Sequence, residues 1–121
     1  MGRFTKLVER LPALAPAESA IEYALEVLVR TYAQGGKVMV CGNGGSASDA
    51  EHIVGELMKG MSGRRPVSEA GFLAELAATA PAHADFLSRH LDEALPTFSL
   101  SSQLSLLTAV SNDISSDVVF A

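Results

Sequence analysis

Apolar residues recur at a helical spacing early in the chain and then change period. Ile21, Ala24, Leu25, Leu28, Val29 and Tyr32 fall at i, i+3, i+4, i+7, i+8 and i+11, the spacing of one buried helix face. They predict a helix over 17–34, closed by Gly35-Gly36, a pair suited to a left-handed C-terminal turn. A shorter helix is expected over 3–11, ended by Pro12. Residues 37–41, Lys-Val-Met-Val-Cys, then show no polar alternation after Lys37. Such a run predicts a strand buried on both faces, as in a parallel sheet. Cys41 is expected at its buried end, as core rather than nucleophile.

Helical spacing returns after a glycine-rich turn. Ala50, Ile53, Val54, Leu57, Met58 and Met61 predict the buried stripe of a helix that begins near Ser46. Ser46 and Asp49 form an S-x-x-D start, a variant of the capping box. Residues 62–67 are a break, and two alanine-rich helices are expected over 68–79 and 81–95, with Pro81 in a first turn and Pro96 ending the pair. A second strand is expected over 97–101, then a helix capped by Ser102 and running through Val110, with Asn112-Asp113 in the loop beyond it. Residues 117–121 read as the first turn of another helix.

Strands separated by helices argue for an α/β fold, a three-layer parallel sheet flanked by helices. The expected organisation is 1–36 as N-terminal helices, 37–67 as first strand, glycine turn and following helix, 68–96 as a helical hairpin, and 97–121 as second strand and helix.

Composition narrows the class. The 121 residues are 48% hydrophobic and 19% charged, with a formal net charge of −5, which is globular and not disordered. Arg64-Arg65 is too brief a basic cluster for a direct nucleic-acid partner. A single cysteine excludes an internal disulfide and fits a reducing compartment. No signal pattern and no membrane-spanning run is seen, so a cytoplasmic protein is expected.

The candidate chemistry starts at Cys41-Gly42-Asn43-Gly44-Gly45-Ser46. A glycine turn between a strand and a helix offers backbone N–H groups and a helix N-terminus to an anion, with the Ser46 hydroxyl beside them. The plain alternative is a tight turn that binds nothing. Gly42, Gly44 and Ala47 also satisfy the dinucleotide fingerprint G-x-G-x-x-G/A. However, no second strand ending in an acidic residue follows about 20 positions on, so no nucleotide cofactor is expected. Asp49, His52 and Glu56 fall within about 60° of one another on the helix, bordering the apolar stripe. His52 and Glu56, one turn apart, can share a metal ion or act as acid and base on one substrate; the bland reading is a solvated His–Glu pair. His83 and His90 share a face of the hairpin without a third ligand.

These residues resemble a known family. The run from Cys41 through Ser46, with Asp49-Ala50, His52 and Glu56-Leu57, and the later Ser111-Asn112-Asp113, is similar to the sugar isomerase (SIS) domain of phosphoheptose isomerases. The resemblance implies a five-stranded parallel sheet, a homotetramer with sites at subunit interfaces, and isomerisation of sedoheptulose 7-phosphate by proton transfer at adjacent carbons. It implies substrate binding by Asn43, Gly44, Gly45, Ser46, Asn112 and Asp113. It also implies catalysis by Glu56 and His52, which would ligate zinc where zinc is present. The hairpin looks like an insertion relative to shorter members. The family's Ser/Thr-rich phosphate loop and the Gln and His that complete its site are expected beyond residue 121. A non-catalytic phosphosugar-binding or protein-interaction module of the same domain type is the alternative.

Overall fold

The computed structural model describes residues 4–60, 63–67 and 71–121. The expected positions Arg3, Met61, Ser62 and 68–70 lie outside them. The chain forms two compact units, Met1–Gly36 and Lys37–Ala121.

In the first unit, helix α1 (Thr5–Arg10) leads through a 3-10 segment (Pro12–Ala17) into α2 (Glu18–Ala33). The double glycine ends α2 in a Schellman motif. Gly35, at φ +71°, donates to the Tyr32 carbonyl at 3.0 Å, and Gly36 donates to that of Thr31 at 2.8 Å. A Cβ on Gly36 would stand 2.8 Å from the same Thr31 oxygen, so both positions need glycine for different reasons.

In the second unit, strands β1 (Val38–Val40) and β2 (Thr97–Ser99) pair in parallel, with Val38 opposite Thr97, Met39 opposite Phe98 and Val40 opposite Ser99. The α/β class and the parallel pairing therefore stand. Helix α3 (Gly45–Lys59) packs on the sheet and supplies its most buried core residue, Ala50. Thr97 and Ser99 are buried, whereas Met39 and Phe98, one step along each strand, are 63% and 54% exposed. Side chains alternate between faces along a strand, so among the described residues one face of the sheet is buried and the other is largely exposed. The expectation of a strand buried on both faces is corrected accordingly, and Cys41 is exposed, not core.

Between the strands lie α4 (Phe72–Thr79) and α5 (Pro81–His90), packed on each other through Leu73 and Ala84. Residues 91–95, expected as helix, are not helical. Pro66 bridges Asp92 in antiparallel sense, and Val67 donates to the Leu91 carbonyl at 3.3 Å. This stem is clamped by two arginines. Arg64 Nε donates to Asp92 Oδ1 at 3.0 Å, and its terminal nitrogens to the carbonyls of Arg89 and Leu91. Arg65 donates to the carbonyl of Glu93 at 3.0 Å and to that of Leu57, in the last turn of α3, at 2.6 Å.

After β2 a 3-10 turn (Leu100–Ser102) leads into α6 (Leu104–Asp113), followed by a 3-10 turn at Ser116–Val118. Ser102 does not cap α6: its hydroxyl donates to Glu51 Oε1 at 3.0 Å, and the cap position is Gln103. Among the described residues no helix is long and apolar enough to cross a membrane.

Candidate functional site

The glycine turn sits where β1 ends and α3 begins, beside the end of β2. Its glycines differ in purpose. A Cβ on Gly42 would meet the Ser46 carbonyl oxygen at 2.5 Å, so close approach of the backbone dictates glycine there. Gly44 is the N-cap of α3 at φ +57°, a conformation that side chains disfavour. Gly45 has open space where a Cβ would stand and is already helical. Of the three, only Gly44 has a positive φ.

The helix starts two residues earlier than the S-x-x-D pattern requires, with Gly44 and not Ser46 at the N-cap. Ser46 is therefore its second residue, exposed, and no side chain caps α3. The amides of Ser46 and Ala47 bond instead to the carbonyls of Asn43 and Gly44, each at 3.1 Å. Those of Gly44 and Gly45 carry no hydrogen bond among the described residues, which leaves two adjacent donors at the positive end of the α3 dipole.

Asn43 lines an open cavity of about 370 Å³ with Leu107, Thr108, Ser111, Ser116, Val119 and Phe120. The loop after β1 and the end of α6 thus meet, as ligand sites do at the carboxyl ends of parallel strands. Asn112 and Asp113 are not in the lining. They belong to the last turn of α6 rather than to a loop, are both exposed, and bond to each other (Nδ2 to Oδ1, 2.7 Å).

His52 and Glu56 face each other on α3, with His52 Nε2 3.5 Å from Glu56 Oε1. His52 is exposed, while the Glu56 side chain is only 24% exposed. Lys59, which sequence reasoning passed over, donates to the same Oε1 at 2.9 Å. This hydrogen bond, then the charges of Lys59 and His52, hold the Glu56 carboxyl below its ordinary value of 4.5, against an opposing push from desolvation. Glu56 Oε2 is buried and has no hydrogen-bond partner among the described residues. At about 1.5 Å rise per residue, Glu56 stands roughly 16 Å along the helix axis from Gly45. The chain therefore joins Asn43 to the end of α6 but does not bring the glycine turn and the His–Glu pair to one point.

Zinc in a protein site takes three or four protein donors. His52 and Glu56 offer two. Among the described residues no group of three or more His, Cys, Asp or Glu side chains is placed to hold a metal. An ammonium also occupies Glu56 Oε1. The orphaned Oε2 could accept a cation, but the pair does not fit a zinc centre on its own.

The comparisons with known proteins agree with the resemblance. The SIS domain family profile matches residues 4–113. The phosphoheptose isomerase of Thiobacillus denitrificans is 34% identical over 109 residues, which is 90% of this chain and 40% of that protein. That of Shewanella denitrificans is 30% identical over 119 residues, 98% of this chain and 47% of the relative. That of a Roseiflexus species is 36% identical over 98 residues, 79% and 35% respectively. The chain thus spans under half the length of each of these relatives.

Proposed function

Because the chain belongs to the SIS domain family, we propose that it serves a phosphosugar isomerase of the phosphoheptose type, with sedoheptulose 7-phosphate as substrate. The observation that carries this reading is Glu56: a half-buried carboxylate, held ionised by Lys59, with one oxygen that has no hydrogen-bond partner among the described residues. Aldose–ketose isomerisation needs a base that takes the proton from the carbon beside the carbonyl and returns it to the neighbouring carbon through an enediol. An ionised carboxylate with an unpartnered oxygen suits that transfer once a side-chain rotation brings the buried Oε2 to the substrate. His52, whose Nε2 is 3.5 Å from Glu56 Oε1, would exchange a proton with the sugar oxygens. Asn43 and the free amides of Gly44 and Gly45 would hold polar groups of the phosphorylated sugar. The separation between that turn and Glu56 supports a homo-oligomer in which a second copy completes each site. The single cysteine and the substrate class support a cytoplasmic location.

In an assay with sedoheptulose 7-phosphate, Glu56→Gln should lower kcat about 100-fold or more, the usual weight of a general acid–base group, with little change in Tm. Turnover equal to the parent protein sinks the assignment. A second reading, a non-catalytic phosphosugar-binding or protein-interaction module, is favoured by the small set of titratable partners around Glu56, namely His52 and Lys59. Saturable binding by the parent protein without turnover would select it.

A further inference from the structure

The β1–β2 register offsets partners by 59 residues, Val40 opposite Ser99, and the same offset continues past the strands to Gly42 and Ser101. There the backbone ladder has stopped, because β2 has turned into the 3-10 segment Leu100–Ser102. One hydroxyl takes its place. Ser101 Oγ accepts from the Gly42 N–H at 3.1 Å and donates to the Gly42 carbonyl at 2.8 Å. Both polar groups of Gly42 are thereby satisfied by a single side chain from the neighbouring strand. Gly42 has no side chain of its own to fix its dihedrals, and its Cα lies against the backbone of Ser46. The adjacent Ser102 turns its hydroxyl to Glu51 Oε1 instead.

From this geometry we infer that Ser101 is a positioning residue for the glycine turn. It fixes the peptide planes on both sides of Gly42. It thereby sets the direction in which Asn43 and the free amides of Gly44 and Gly45 are presented to a phosphosugar. The ligand rests on the proposed function; the fixing of Gly42 does not.

Amide hydrogen exchange by NMR and steady-state kinetics on the full chain separate the two. In Ser101→Ala the Gly42 amide should exchange about tenfold faster. Ser101→Thr, which keeps the hydroxyl, should stay within about threefold of the parent, and Ser102→Ala should leave Gly42 unchanged. KM for sedoheptulose 7-phosphate should rise about 5- to 10-fold in Ser101→Ala with kcat within about twofold, the size of a lost hydrogen bond felt in binding. Unchanged exchange at Gly42 in Ser101→Ala overturns the inference. So does a fall in kcat with KM unmoved, or a folded Thr variant that fails to restore both readouts. A parent protein without turnover would end the isomerase reading and leave Gly42 exchange to decide the role of Ser101.

Discussion

At Gly42 the Ser46 carbonyl leaves no room for a Cβ, at Gly44 the constraint is a φ of +57°, and at Gly45 neither holds. The sequence shows three similar glycines, and only the backbone distinguishes their reasons. Glu56 carries the sharper consequence. Its carboxyl is lowered chiefly by the hydrogen bond from Lys59. A carboxylate lowered in the folded state contributes stability that is present above the unfolded value near 4.5 and lost as pH falls through the folded value. Lys59→Ala should therefore move the Glu56 midpoint, followed by carboxyl NMR, upward toward 4.5, while Lys59→Arg should hold it low. His52 and Glu56 were legible from their i, i+4 spacing. Lys59 was equally legible at i, i+3 from Glu56 but lay off the family motif. Ser101 was not legible, because its partner is defined by strand register, which exists only once the two strands have paired.

Elements were more legible in kind than in extent. The helix of 17–34 forms as α2 (Glu18–Ala33), since its glycine stop is local chemistry. The helix expected over 81–95 stops at His90 because residues 91–95 are claimed by partners remote in sequence. Arg64 and Arg65, dismissed as a short basic cluster, are the clamp that claims them. Among the described residues, four of their five side-chain hydrogen bonds end on carbonyl oxygens, a use that no composition count reveals. Arg65→Ala removes the bonds to Leu57 and Glu93 and should cost about 1–3 kcal/mol locally. Limited proteolysis should then cut within 63–95 at least several-fold faster, while the β1–β2 amides keep their protection against exchange. Equal loss of protection in the strands would mean that the stem and the sheet unfold as one unit.

For the molecule as a whole, the fold class followed from alternation of strand and helix, but the largely exposed sheet face did not. Apolar runs report what a strand is made for rather than what covers it in a given chain. Met39 and Phe98 are register partners, and both are more than half exposed. The proposed homo-oligomer would have this apolar face available to it. Met39→Lys with Phe98→Glu should weaken self-association about tenfold by sedimentation, about 1.4 kcal/mol, with helical circular dichroism unchanged. The arginine-clamped stem has a different consequence. Pro66 and Asp92 close the α4–α5 hairpin at its base, so the ordering cost of whatever lies between them is met at the stem and not at the sheet. Since closure entropy grows only slowly with loop length, the stem acts as a socket. A hairpin of another length exchanged there should therefore leave the β1–β2 amides protected against hydrogen exchange, and lost protection would show that the strand register depends on the native hairpin.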